Sequence, residues 1–444
     1  MLENNKINLI GKVFIYLTFF IVAFLSSKKQ LQKVNSLTAD DLVLRINGAA
    51  LQKDGKDIYT HKWVAGESEK YFYYSQRPTQ TINGITATPF LLYTHKALIH
   101  LNYCDIKLIW LAIELFFLFA AGFLLINSFN NFLNQLIALI AFVVFFTLSP
   151  QWMVHIESGQ VYIVYAFVFS LFYWLEKNNS PHKKWLQAIL ISTAILLRPI
   201  FIIAALYFLV KKDVEMLKKG VTSFLVIGLF SLLLTPAKEW KEYTIALKEY
   251  SKEVVDKMTV TTPIVESAIS NKTIDCINKP TLRIYTAGAL YTMQKYLYNI
   301  GIVITNSTFY IALCLVLIIL IVLPIKSRLN SLTIEQFFVL FFLFYIIFEL
   351  TTPTVRNPYN IVQWLATSLI VICNWKINIA SSVLMLIGLM LTEDVLIVFK
   401  YSREIGESCM IISSILFVWN YGLPNKLNKL NTSKTELPNA LRGF

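Results

Sequence analysis

Long apolar stretches constrain this chain more than any motif within it. Such runs lie at 8–26, 107–127, 132–148, 160–175, 185–197, 200–210, 220–235, 301–324, 335–350, 361–375, 378–398 and 407–421. A helix needs about 20 apolar residues to cross a hydrocarbon core of ~30 Å. Inside lipid every backbone polar group must also find its partner within the protein, which favours helices. Composition points the same way. Apolar types make up 56% of the 444 residues and charged types 15%, against ~45–50% and ~25% in a soluble globular chain. A soluble enzyme, a disordered chain and a disulfide-framed secreted domain are thereby excluded. The expected fold is an all-α polytopic membrane protein of about 11–12 transmembrane segments.

The first run has Lys6 and Lys12 on its N-terminal side, and Ser26-Ser-Lys-Lys follows it with no small-x-small cleavage site. It reads as a retained anchor, with a cleaved signal as the alternative. Two polar and aromatic stretches, 28–106 and 236–300, hold no spanning run and form two large loops carrying short helices. Residues 1–421 read as one transmembrane domain and 422–444 as a basic tail. The five cysteines show no metal spacing, and three of them lie in apolar runs, where they read as small apolar residues.

The net charge of +13 comes from 40 Lys and Arg against 27 Asp and Glu. In a membrane protein this excess belongs to cytoplasmic loops, so membrane lipids and not nucleic acid are the expected surroundings. Lys177, Lys183 and Lys184, then Lys211, Lys212, Lys218 and Lys219, then Lys326 and Arg328, Lys376, and Lys426, Lys429 and Lys434 sit between or after runs. They share one side only if 185–197 and 200–210 go in and come back. Arg198-Pro199 breaks the run at that point, because proline removes a backbone donor and clashes with the preceding turn. One Pro-kinked span is the alternative. With the hairpin, both termini are cytoplasmic and both large loops face the periplasm or exterior of the cytoplasmic membrane.

Polar residues then gather at the outer side in four groups. Asp40-Asp41 follows the first segment, where a carboxylate could take a proton from an acceptor hydroxyl; the same residues also suit the first turn of a helix capped by Thr38. His155, Glu157, Ser158 and Gln160 offer donors and acceptors at the start of the run at 160, or form an ordinary polar turn. Arg198, at the hairpin tip, presents a fork suited to phosphate oxygens, and the helix returning from Pro199 points its positive end the same way. The alternative is an Arg paired with a structural acid such as Glu114. Arg356, in Thr351-Thr-Pro-Thr-Val-Arg-Asn-Pro-Tyr359, either binds an anion or pairs with Glu349. Together these suit a lipid-linked phosphate, whose reacting end sits at the surface while its tail needs lipid. Residues 238–258 place Trp240, Tyr243, Leu247, Tyr250 and Val254 at alternating spacings of three and four, an amphipathic helix lying on the membrane interface or packing on neighbouring protein. No phosphate loop, HExxH helix, GxSxG elbow or Cys/His cluster is present in the sequence. No metal or cofactor is therefore expected.

Several elements resemble a known family in order and spacing. They are Asp41-Leu-Val-Leu-Arg-Ile-Asn-Gly-Ala-Ala leading to Gly55-Lys-Asp-Ile-Tyr59, Ala87-Thr-Pro-Phe-Leu-Leu-Tyr93, Ser158-Gly-Gln-Val-Tyr162, Leu197-Arg-Pro199 and Thr352-Pro-Thr-Val-Arg-Asn-Pro-Tyr359. Over roughly 35–375 the chain is similar to the GT-C class of integral-membrane glycosyltransferases, and most of all to glycosyltransferase family 87, the polyprenol-phosphate-mannose-dependent group. The resemblance implies a GT-C-like helical bundle with an outward-facing site. It implies Asp41, beside Asp40, as base, and a polyprenyl phosphate as leaving group. Arg198 and Arg356 are then expected at the donor phosphate, with His155, Glu157, Gln160, Tyr162 and Tyr359 around the substrates. This sequence lacks the family's later His pair and has Tyr162 where Asn is commoner, which leaves the sugar open. The expected reaction is inverting transfer of a hexose from polyprenyl phosphate to a hydroxyl of a lipid or glycan acceptor. A lipid-linked sugar transporter or flippase, or a surface-polysaccharide polymerase or ligase, are the rival readings.

Overall fold

A computed structural model describes residues 2–34, 39–71, 82–178, 181–259, 307–352, 357–393 and 402–420. Helix α1 spans Leu2–Leu31, and α2 (Asp40–Lys53) and α3 (Pro89–His95) lie in the first large loop. There follow α4 (Tyr103–Asn127), α5 (Phe132–Phe142), α6 (Pro150–Ser158), α7 (Tyr162–Lys177), α8 (Lys183–Leu197), α9 (Ala204–Val210) and α10 (Val214–Leu234). Helix α11 (Ala237–Thr259) opens the second large loop. The order closes with α12 (Ser307–Val322), α13 (Ile334–Thr351), α14 (Leu365–Cys373), α15 (Ile379–Thr392) and α16 (Ser402–Trp419). Among the described residues there is no β-strand.

Side-chain caps set many of the helix starts. Thr88, Asn102, Asn131, Ser149, Asp213 and Asn378 each accept a bond from a backbone N–H in the first turn that follows, and Thr333 forms a capping box with Gln336. Helix α13 is central: every residue from Phe338 to Ile346 is buried, in contact with Phe169, Phe172 and Tyr207. Helix α10 is peripheral, with Leu233 83% exposed, the surface expected to face lipid.

Five helical segments are long and apolar enough to cross a bilayer: Ile10–Leu31, Tyr103–Asn127, Val214–Leu234, Phe309–Ser331 and Ile334–Thr351. A sixth is reached if Phe132–Thr147 and Pro150–Ser158, bent by 51°, count as one span. This establishes a polytopic membrane protein. The other apolar runs form shorter helices, so 11–12 full-length spans are not found among the described residues. Helix length accounts for the difference, because the runs at 160–175, 185–197, 200–210, 361–375 and 378–398 form helices of 16 residues or fewer.

The 183–210 segment leaves and returns on one side. Lys184 Nζ lies 3.0 Å from Asp213 and 2.7 Å from Glu215, while Lys211 and Lys183 both pair with Glu176. The basic residues at its two feet therefore meet, as a hairpin requires and a single kinked span would forbid. Helix α11 packs on protein. Tyr243 and Ala246 are buried with Tyr59, Leu51 and Leu92 of the first loop, and Trp240 Nε1 donates to Thr235 Oγ1 at 3.0 Å.

Candidate active site

The first large loop reaches the bundle through a close backbone approach. Ala39, the residue before α2, has φ +49°, and its N–H donates to Glu157 O at 2.8 Å while its carbonyl accepts from Tyr103 OH at 3.0 Å. Gly159 ends α6 with φ +64°, and a Cβ there would lie 2.8 Å from Leu42 Cβ and 3.2 Å from Ala39 Cβ. Only glycine accepts both the left-handed turn and that contact. Helix α2 begins without a side-chain cap at Ala39. Thr38, the expected cap, lies outside the described residues.

This docking sets Asp41 against Gln160. Gln160 Nε2 donates to Asp41 Oδ2 and also to Tyr359 OH, at 3.0 Å. The Tyr359 ring centre is 5.6 Å from that of Tyr162, and the Arg198 guanidinium stands 4.8 Å from the Tyr162 ring. Asp41, Gln160, Tyr359, Tyr162 and Arg198, drawn from four separate stretches of sequence, thus form one continuous line. Burial pushes the Asp41 carboxyl up to about 6, with Arg45 opposing it, Asp40 adding to the rise and the Gln160 bond opposing it. A carboxylate titrating there is a stronger base than a free one and is still mostly ionised at neutral pH.

Arg198 sits between α8 and the 3-10 turn Pro199–Ile203, in extended conformation. Thr88 Oγ1 donates to Leu196 O at 2.8 Å, next to the proline break, and Thr88 also caps α3. The first loop is therefore tied to the hairpin tip. Arg198 Nη2 lies 2.6 Å from Glu349 Oε1, and Nη1 donates to Tyr345 OH at 2.8 Å. Gln363 Nε2 donates to Glu349 Oε2 at 3.3 Å and Asn360 Nδ2 to Oε1 at 3.3 Å. The acid that meets Arg198 is Glu349, while Glu114 lies 3.3 Å from His155 Nδ1. The Glu349 side chain is 2% exposed and that of Arg198 20%, so the acid is closed off within the protein while the guanidinium keeps some accessibility.

The remaining expected residues fall as follows. His155 is fully buried, and its Nε2 accepts from Ile163 N–H at 3.2 Å, beneath the turn that bears Gln160. Glu157 contributes its carbonyl to Ala39. Asp40 adjoins Asp41 at the start of α2, with Oδ1 buried and without a hydrogen bond. Arg356 lies outside the described residues. Reading the sequence overlooked Thr88, Arg45, Tyr345 and Gln363 and gave Glu349 to Arg356. One signal was there to use. Asp41 and Arg45 are spaced i,i+4, as are Tyr345 and Glu349, which puts each pair on one helix face.

Residues 86–345, more than half of the chain, match the family model of glycosyltransferase family 87. The match begins after Asp41 and ends before Glu349. No curated protein and no solved structure gives a significant match.

Proposed function

This chain belongs to glycosyltransferase family 87, and from that premise we propose that it moves a hexose from a polyprenyl-phosphate carrier to a hydroxyl of a lipid or glycan acceptor, with inversion, at the outer face of the cytoplasmic membrane. The observation that carries this reading is the unbroken line from Asp41 through Gln160, Tyr359 and Tyr162 to Arg198. In this reading Asp41, at one end of the line, is the general base, and Arg198, at the other, is the cation for a phosphate.

In the proposed reaction Asp41 takes the proton from the acceptor hydroxyl as the hydroxyl oxygen attacks the anomeric carbon. The bond from that carbon to the phosphate oxygen breaks on the opposite face, and the phosphate leaves with the electron pair. Arg198, held by Glu349 and Tyr345, stabilises the charge developing on the phosphate; Arg356 is proposed to assist. Because Glu349 and its partners fix the guanidinium beforehand, little reorganisation is needed when the charge develops. Tyr162 and Tyr359 flank the sugar, and Gln160 orients Asp41. His155 and Glu157 support the turn that carries Gln160. A groove of about 410 Å³ lined by Phe90, Tyr93, Lys96, Phe230 and Leu234 adjoins Thr88-Pro89 and gives the carrier's tail an apolar path to the lipid-facing side of α10.

Two observations support the outer face. Cys104, at the start of α4, is disulfide-bonded, which fits an oxidising compartment. Lys177, which ends α7 ahead of the hairpin's basic feet, pairs with Glu335 at the start of α13, whereas Arg198 meets that helix at Glu349. Fourteen residues of helix separate these levels, roughly 21 Å. The test is transfer in proteoliposomes from a panel of radiolabelled polyprenyl-phosphate hexoses, with a total lipid extract as acceptor source. Transfer by wild type, and by Asp41→Asn at a rate lower by about 10²–10⁴-fold, is expected. No transfer from any monophosphate donor, with transfer from a diphosphate carrier instead, would refute the donor class.

A further inference from the structure

Arg45 takes no part in the line of residues above, yet it is only 5% exposed. It stands one helical turn after Asp41 on α2, so both side chains leave the same face. Its Nη2 donates to the carbonyl of Gly159, the residue immediately before Gln160. Its guanidinium carbon lies 5.1 Å from the ring centre of Trp110 on α4. Among the described residues no carboxylate is within ion-pair distance of it, and its Nε has no hydrogen-bond partner. A buried cation with so few partners is expensive, and replacing such groups by apolar residues is often neutral or stabilising. Its position relative to Asp41 gives it a use that packing alone does not.

We propose that Arg45 is a positioning residue for sugar transfer, clamping the Gly159–Gln160 turn onto α2 and presenting the buried positive charge that faces the Asp41 carboxylate. The inference rests on Asp41 being the base. Asp40 adjoins Asp41 on the same helix, and Tyr359 faces it from the Pro358–Trp364 turn. Arg45 in turn is faced by Glu114 and Tyr103 of α4, His95 of α3, His155 of α6 and Tyr165 of α7. Arg45 is the one permanent cation among these groups. Burial raises the Asp41 carboxyl and Arg45 pulls it down. Without that charge Asp41 would hold its proton to higher pH and lose its capacity as a base at neutrality.

The experiment is the pH dependence of the transfer rate in proteoliposomes, with the polyprenyl-phosphate hexose that the wild type uses. Arg45→Gln is expected to move the acid limb of the profile upward by about one pH unit, the low end of what an adjacent opposite charge supplies. Arg45→Lys keeps the charge and is expected to restore the limb most of the way. If Arg45→Gln does not accumulate in membranes, Arg45→Met keeps the stem against Trp110 and carries the same expectation. An active Arg45→Gln or Arg45→Met enzyme with an unmoved acid limb overturns the proposal, as does a limb in Arg45→Lys displaced as far as in the neutral variant. Transfer by Asp41→Asn at near wild-type rate would instead overturn the base assignment beneath it.

Discussion

Replacing Asp41 with Asn separates the chemical role of this residue from its structural one, because the two change in opposite directions. Burial raises the carboxyl from 3.8 to about 6 in the folded protein. A group whose pKa is higher folded than unfolded stabilises the fold below its unfolded pKa, and that contribution is lost as pH rises through the folded value. For Asp41 the window runs from about pH 4 to 6. Above it, the ionised carboxylate costs roughly 3 kcal/mol if the whole difference is counted. The side chain keeps some contact with water, so ~1–3 kcal/mol is the working range. Asn carries no charge and can still accept the bond from Gln160. Asp41→Asn should therefore be more stable than wild type at pH 7.5, by about 2–5 °C in thermal midpoint. The difference should vanish near pH 4, where the wild-type carboxyl is protonated too. Transfer should meanwhile fall by about 10²–10⁴-fold, the usual contribution of a positioned base. The assay pairs a fluorescence melt of purified protein at the two pH values with transfer at pH 7.5. A variant that is less stable at pH 7.5, or equally stable at both values, would refute the claim that Asp41 is held as a costly charge. Full activity would refute its role as base.

Further outcomes follow from the same geometry. The wild-type transfer rate should fall about tenfold per pH unit below about 6, since Asp41 is then protonated; initial rates between pH 4.5 and 8 test this, and a flat profile down to pH 5 would contradict it. Arg198→Ala leaves Glu349 buried without its cation and should cost about 3–5 kcal/mol. Adding Glu349→Gln should recover most of that stability but none of the donor affinity, measured by melting and by binding of polyprenyl phosphate. Gly159→Ala forces a left-handed residue and a Cβ against Leu42, costing ~1–3 kcal/mol and displacing Gln160 from Asp41; a melting curve and the transfer rate report both effects. In a background lacking Cys314, Cys373 and Cys409, Lys184→Cys and Lys211→Cys should react with an impermeant thiol reagent from one side of membrane vesicles, and Thr60→Cys from the other.

What the sequence made legible was local, and what it hid was the meeting of distant parts. The apolar runs marked the helices because, inside lipid, the helix is the segment's only self-sufficient structure. The break at Arg198-Pro199 was equally legible, since proline acts on its own turn, and the charge pattern then required the hairpin that the Lys184 and Lys211 pairs display. The number of full spans was less legible. Apolar composition alone does not tell a helix that crosses from a shorter one packed among neighbours, as at 359–373 and 379–392. Helix α11 shows the same ambiguity in another form, because its stripe of Trp240, Tyr243 and Leu247 would suit lipid as well as the first loop it covers.

The candidate site was legible as residue types but not as contacts. Asp41 and Gln160 meet across 119 positions only because Ala39 takes a left-handed conformation that its side chain does not favour and Gly159 has no Cβ to obstruct it. Nothing in the residues around Ala39 announces that turn; the bond its N–H donates to the Glu157 carbonyl and the one its carbonyl accepts from the Tyr103 hydroxyl hold it. The partner of Arg198 was missed for a related reason. Glu114 and Glu349 are both acids inside apolar helices, and composition cannot rank them. Glu349 is fourteen residues from Glu335, which pairs with Lys177 of α7, a height of roughly 21 Å that a hairpin arm of fifteen residues, at ~1.5 Å each, also reaches. A carboxylate on the helix packed beside the hairpin, at the height of its tip, is the one that can meet a guanidinium there. Height alone does not rank them, since Glu114 stands thirteen residues, roughly 20 Å, from the end of α4 at Asn127; Glu349 is picked because its helix packs beside the hairpin, a meeting of distant parts that sequence does not announce.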